Sequence, residues 1–320
     1  MRVLVVSLCI LGLISNAWAE AAENIGPYGS DGSNSVEILS LSVSSPNGAF
    51  TTTAYIPSSS GPFRVVIFSP GFFQKGIAYA PYAKRLATWG IITLLRDDPN
   101  FFADESRSDD LSRPDIVKTG AMADHMALDV AYEVTTWLRA ANADPSSVLY
   151  RKVDTKRIGL AGHSSGARIA LVVGEALPGL IKGVFGLDPV DLSARAPARP
   201  KLTNIGIPIA FIGETTNRFS CAPGWFNYQT LYRAAASPAV AITAINADHT
   251  MFEDPAHCSR CWLCRPAGTA DASQVLAYSV RYLTAFFARE LLADVSVGGA
   301  FEGAGAAADV NAGLIEISSK

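Results

Sequence analysis

The sequence predicts an α/β fold, a mainly parallel central sheet with helices on both faces, and three observations carry that prediction. Short apolar runs without polar alternation recur along the chain, as strands buried on both faces require. Helix-like or turn-rich segments separate them, which is the rhythm of parallel strands joined by crossovers. One such run, Ile158-Gly159-Leu160-Ala161, leads directly into Gly162-His163-Ser164-Ser165-Gly166 and then into a helix-like stretch over 167–176. A serine between two glycines at a strand-to-helix turn takes a strained backbone that lifts its hydroxyl above the sheet.

The elements follow in order. Val36, Ile38, Leu41 and Val43 lie among polar or small residues, and a second strand over 51–56 follows the turn Ser45-Pro46-Asn47-Gly48, so a hairpin is expected at a sheet edge. Residues 64–68 form a buried strand that ends in Ser69-Pro70-Gly71-Phe72. A helix over 79–89 and a strand over 91–95 come next, then an acid-rich insert over 97–119, read as a solvated loop placed to line a site. Ala127, Ala131, Val134 and Leu138 mark one face of a helix over 121–141. Further strands are expected over 183–187, 207–212 and 240–245, and a last helix over 272–293. The Gly- and Ala-rich residues 294–320 read as a flexible tail, and 20–35 as a loose N-terminal segment.

With 320 residues, 49% hydrophobic and 17% charged, the chain can bury one large core, so 36–293 is expected to be a single domain. A net charge of -3 and scattered Lys and Arg provide no basic face, which argues against nucleic acid as a partner and for a small apolar substrate, within reach of a membrane surface. Oligomeric state is not legible. Arg2, the apolar run 3–14 and Asn16-Ala17-Trp18-Ala19 before Glu20 read as a leader over 1–19, cleaved after Ala19. The run is short of the ~20 residues of a bilayer span. The leader implies secretion or the periplasm, with plastid import as the alternative.

Ser164 is the expected nucleophile. A serine hydroxyl needs a base to take its proton, and enzymes with this elbow order the groups as serine, acid, histidine. Of the histidines after Ser164, His249 stands directly behind the 240–245 strand, whereas His257 lies in a cysteine cluster; His249 is the expected base. His163 reads as a packed neighbour and His125 as a surface or cap residue. Asp188, at a strand end and fixed by Pro189, is preferred as the acid over Glu214, which ends the following strand, and over Asp191. Backbone N–H groups of Ser165 and Phe72 are the expected oxyanion donors, with Phe72 and Phe73 walling the pocket.

Outside the leader, which holds Cys9, stand Cys221, Cys258, Cys261 and Cys264. An exported chain makes two disulfides the expectation, one of which must join Cys221 to the later cluster. The alternative is a zinc site from His257, Cys258, Cys261 and Cys264.

These residues together resemble the chlorophyllase family of α/β hydrolases over residues 65–287. Gly162-His163-Ser164-Ser165-Gly166 is similar to that family's elbow, Gly186-Leu187-Asp188-Pro189-Val190-Asp191 to its acid loop, and Asp248-His249-Thr250-Met251-Phe252-Glu253-Asp254 to its histidine loop. Cys221-Ala222-Pro223 with Asn227-Tyr228, and Cys261-Trp262-Leu263-Cys264, resemble further blocks of the plant members. Ser165 stands where the family usually has Arg, and Ala167 where it has a second Gly. The resemblance implies an α/β-hydrolase fold, a triad of Ser164, Asp188 and His249, no metal or cofactor, and hydrolysis of the phytyl ester of chlorophyll to chlorophyllide and phytol. The alternative is a secreted esterase, lipase or polyesterase of broad scope with the same triad.

Overall fold

The computed structural model describes residues 27–72, 74–97, 125–191, 197–256, 264–297, 300–301 and 303–320. The leader, most of the acid-rich insert, Phe73, His257, Cys258 and Cys261 lie outside these residues.

One nine-stranded sheet organises the described residues: six central parallel strands, an antiparallel hairpin on one edge and a single antiparallel strand on the other. The expected hairpin forms its edge: β1 (Val36–Ser45) and β2 (Gly48–Pro57) pair antiparallel from Val36 opposite Pro57 to Ser45 opposite Gly48. The strands β3 (Phe63–Ser69), β4 (Ile91–Asp97), β5 (Val153–His163), β6 (Ile181–Leu187), β7 (Ile209–Glu214) and β8 (Ala239–Ala244) are mutually parallel. After β3 the chain crosses to β4 on one side and returns to β5 on the other. The strand order thus reverses beside β3, and such a reversal opens a crevice at the carboxyl ends of the strands.

Alternation of side chains along β3 explains the two-sided core. Val66 and Phe68 point to one face, where helices α1 (Ala80–Thr88) and α5 (Ala272–Leu292) supply Tyr82, Leu86, Phe286 and Phe287. Val65 and Ile67 point to the other, covered by Val134 and Leu138 of the 125–143 helix and by Ile169 of α3 (Ser165–Ala176). The 125–143 helix contains a wider turn of π type at Glu133–Trp137 before it resumes as α2 (Leu138–Ala143). There the buried Glu133 meets the buried Arg96 of β4 at 2.9 Å. Burial pushes the Glu133 carboxyl up to about 7 against the opposing pull of Arg96. Helix α4 (Tyr228–Ala234) completes that face.

Two expectations for the chain ends are corrected. The described residues of 294–320 are no free tail: among them are α6 (Ala304–Asn311) and β9 (Ile315–Ser319), which pairs antiparallel with β8 from Ile315 opposite Ala244 to Ser319 opposite Val240. A strand of five residues, Ile315-Glu316-Ile317-Ser318-Ser319, has its apolar positions on one face only, so it reads weakly; β8 offers the ladder that fixes it. Nor are the described residues of the N-terminal segment loose. Tyr28 is buried against Trp89 with ring centroids 4.6 Å apart and donates to Asp294, while the Gly32 N–H donates to Thr88 Oγ1 at 2.9 Å. Tyr28 thus ties the N-terminal segment to Asp294, just beyond α5.

Candidate active site

The site is built at the carboxyl ends of β3, β5, β6, β7 and β8. Ser164 joins β5 to α3 with φ 54° and ψ −122°, a conformation rarely adopted by residues other than glycine. Its two glycines are required by close packing. A Cβ on Gly162 would overlap the backbone of Gly166, and one on Gly166 would overlap the carbonyls of Ser69 and Pro70. Backbone bonds seat the strained residue: Ser164 N–H donates to the Leu187 carbonyl at 2.9 Å, and the Ser164 carbonyl accepts from Val190 N–H at 3.2 Å. These bonds bracket Asp188.

Asp188 follows β6 with φ 36° and is wholly buried, its N–H donating to the Ile212 carbonyl of β7 at 2.6 Å. Its Oδ2 accepts from His249 Nδ1 at 2.5 Å. His249 opens a short turn, His249–Phe252, behind β8, and Asp248 caps that turn by accepting from Thr250 N–H at 2.9 Å. Asp248 also accepts from Gly268 N–H at 2.8 Å, which closes the segment beyond the turn onto the same loop. The predicted acid and base are thus joined directly, and both lie beside the loop that carries the predicted nucleophile.

The other candidates are placed elsewhere. Glu214, at the end of β7, turns its Oε2 to the N–H groups of its own loop, those of Thr216 and, at 2.6 Å, Asn217. Asn217 in turn accepts from His249 N–H through Oδ1 at 2.9 Å and donates to the Pro266 carbonyl at 2.7 Å. Asp191 accepts from the N–H groups of Ala198 and Arg199 and faces the buried Arg168. His125 is exposed at the start of its helix.

Ser165 is the first residue of α3, so its N–H belongs to the positive end of a helix whose first turn surrounds the elbow. On the facing strand end, Gly71 N–H is committed to Tyr79 Oη at 3.1 Å, and Phe72 provides the next N–H along the chain. The Phe72 side chain packs against the core face beneath it. The Ser165 hydroxyl is buried and has no hydrogen-bond partner among the described residues.

Burial alone would lower the His249 pKa, but the Asp188 hydrogen bond and charge, with Glu253 behind them, outweigh it and hold the ring above its ordinary 6.5. Burial, together with the nearby Asp188 charge, pushes Glu214 up to about 8 against its own N–H bonds. Burial lowers His163, and His249 beside it lowers it further.

Sequence reasoning missed one layer of this site. His163 is more than a packed neighbour: its Nδ1 lies 2.8 Å from Tyr79 Oη and 3.2 Å from Glu253 Oε1, and its Nε2 lies 3.0 Å from the His249 carbonyl. Only its place beside Ser164 could have flagged it; Glu253 stands in the histidine loop without a role of its own assigned to it, and Tyr79 stands in a segment with no distinguishing pattern. Among the cysteines, Cys221 and Cys264 form a disulfide with Cα atoms 5.1 Å apart, the predicted tie between Cys221 and the later cluster. It closes the loop behind Asn217 and takes Cys264 out of the four-residue zinc set. A cross-link of this span stabilises by about 4 kcal/mol in the chain-entropy account.

A parallel sheet with its strand order reversing beside β3, a strained serine between β5 and a helix, and an acid and a histidine on later loops define the α/β-hydrolase class. The chlorophyllase family model matches residues 24–272, and the chain belongs to that family of ester hydrolases. The match begins before the β1–β2 hairpin and ends where α5 begins, so it takes in every candidate site residue named above. No curated protein matches the chain at a significant level. Among the described residues no helix is long and apolar enough to cross a membrane.

Proposed function

We propose that the chain is a serine carboxylic-ester hydrolase of chlorophyllase type, cleaving the phytyl ester of chlorophyll to chlorophyllide and phytol. The observation that carries this reading is the buried 2.5 Å bond between Asp188 and His249, on loops that flank the strained Ser164. Ser164 Oγ attacks the ester carbonyl while His249 Nε2 takes its proton; Asp188 holds the Nδ1–H tautomer and stabilises the imidazolium. The carbonyl oxygen becomes an oxyanion held by the Ser165 and Phe72 N–H groups, each such donor contributing about 3 kcal/mol. Collapse breaks the ester C–O bond, and the departing phytol oxygen takes the proton from His249. Water then adds to the acyl enzyme, giving its proton to the same nitrogen, and Ser164 leaves with that proton restored. None of these steps calls for a metal or cofactor.

Ser165, in place of the family's usual Arg, favours a second reading in which the same machinery serves a broader range of apolar esters, lipids or polyester ends. A leader and a disulfide together support an oxidising compartment, secreted or periplasmic, with a plastid route as the alternative. Turnover of chlorophyll a beside short p-nitrophenyl esters, by wild type and Ser164→Ala, tests both readings. Chlorophyllide formation that Ser164→Ala abolishes supports the first. Activity confined to short esters rejects the chlorophyll assignment and keeps the esterase. Failure of a fluorophosphonate to label Ser164 in folded protein rejects both.

A further inference from the structure

The fold brings a second histidine to the back of the first. His163 immediately precedes Ser164, is 1% exposed, and stacks its ring 4.5 Å, centroid to centroid, from that of His249. Its Nε2 faces the His249 carbonyl at 3.0 Å. A carbonyl oxygen can only accept, so Nε2 carries a hydrogen. In the neutral ring Nδ1 is then an acceptor, and Tyr79 Oη stands 2.8 Å away to donate to it. Tyr79 Oη itself accepts from Gly71 N–H at 3.1 Å. The donors therefore run in one direction: Gly71 N–H to Tyr79, Tyr79 O–H to His163, His163 N–H to the backbone of His249. Buried chains of this polarity reinforce each bond in them.

This chain joins two parts of the site that are far apart in sequence. Gly71 precedes Phe72, one expected oxyanion donor, and His249 is the expected base. The middle of the chain sits on the residue next to the nucleophile. Steric fit agrees, since a Cβ on Gly71 would stand 2.8 Å from His163 Nδ1 and 3.1 Å from Tyr79 Oη. Glu253, in the His249 loop, lies 3.2 Å from Nδ1 and 3.4 Å from Tyr79 Oη, so it closes the network from the far side. With a proton on Nδ1 instead, Tyr79 would turn its O–H to Glu253, and the Nε2–H bond to His249 is the same.

We infer that His163 is a positioning residue, which through its Nε2–H bond fixes the backbone of His249 and, through Tyr79, the Gly71–Phe72 strand end, so that base and oxyanion donors keep one geometry. The inference rests on the reading of Ser164, Asp188 and His249 as a triad. A group that acts only by aligning others changes the rate of the chemical step and leaves ground-state binding nearly untouched.

The test uses the full chain and a short p-nitrophenyl ester, with kcat and KM measured for His163→Leu, His163→Gln, Tyr79→Phe and Ser164→Ala. His163→Leu, which cannot donate, is expected to lower kcat by about 30-fold, between one and two powers of ten, with KM within about twofold. His163→Gln can donate to the His249 carbonyl through its amide and accept from Tyr79, and is expected to recover kcat to within about threefold of wild type. Tyr79→Phe should fall between them, and provides the readout if His163→Leu does not fold. Wild-type kcat in His163→Leu or, where that variant is unfolded, in Tyr79→Phe overturns the inference. So does a His163→Gln protein as impaired as His163→Leu. Ser164→Ala separates the two levels: retained activity there sinks the triad reading itself, whereas a dead Ser164→Ala beside a fully active His163→Leu sinks only the role of His163.

Discussion

Asp188 and Glu214 end neighbouring parallel strands, both are buried, and both lie beside His249, yet the structure gives them different work. Asp188 leaves β6 in a positive-φ conformation, so its short side chain is turned across to the imidazole. Glu214 is still in the regular strand when its longer side chain folds back to the N–H groups of Thr216 and Asn217. One carboxylate holds the ring of His249; the other shapes the loop whose Asn217 holds the N–H of His249. The lesson is that backbone conformation at the strand end, more than the type of acid, decides which carboxyl reaches a base.

The largest effect that could break this comparison is Asp188→Asn. If Asp188 supplies the charge that stabilises the imidazolium, kcat falls by on the order of 10⁴ while the fold, followed by circular dichroism, persists. An active Asp188→Asn together with a dead Glu214→Gln would reverse the assignment. The pH profile gives the next largest effect. Acyl transfer needs a neutral His249, and Asp188 raises its pKa above 6.5, so the acid limb of kcat/KM should have its midpoint above 6.5. In Asp188→Asn the largest raising effect is gone while burial still lowers the ring, so the midpoint of the residual activity should move down. A limb at or below 6.5 in wild type would mean that Asp188 and His249 do not interact as drawn.

How much of this was legible in the sequence follows the same physics. The parallel strands could be read because burial on both faces demands unbroken apolar runs, as in Ile209-Ala210-Phe211-Ile212. The elbow and the pairing of Asp188 with His249 could be read because a strained serine tolerates only small neighbours and because an acid and a histidine at strand ends can meet there. Strand β9 could not, since its short one-sided pattern acquires meaning only beside β8. Tyr28 was hidden in the same way: a lone tyrosine in a Gly- and Ser-rich stretch becomes an anchor only once Trp89 and Asp294 are brought to it. The network of Tyr79, His163 and Glu253 joins three distant segments, and no local pattern encodes such a meeting.

The smallest effect on activity sharpens the comparison most. With its carboxyl pushed up to about 8, Glu214 is largely protonated at neutral pH, and its Oε1 is buried without a hydrogen-bond partner among the described residues. Glutamine imitates that form, because its single oxygen can accept from Thr216 and Asn217 as Oε2 does. Glu214→Gln should therefore keep kcat within about threefold of wild type, the change expected of a group outside the reacting atoms. Its stability should differ from wild type in a pH-dependent way. A carboxyl with a raised folded-state pKa contributes its full stability below the unfolded value of 4.5 and loses it progressively as pH rises toward 8. The wild type thus loses stability across that window while Glu214→Gln, which cannot ionise, does not. Urea unfolding of both proteins at several pH values from 5 to about 8.5 measures the divergence. Parallel curves would show that Glu214 is ionised in the folded protein, and would return it to contention as the partner of His249.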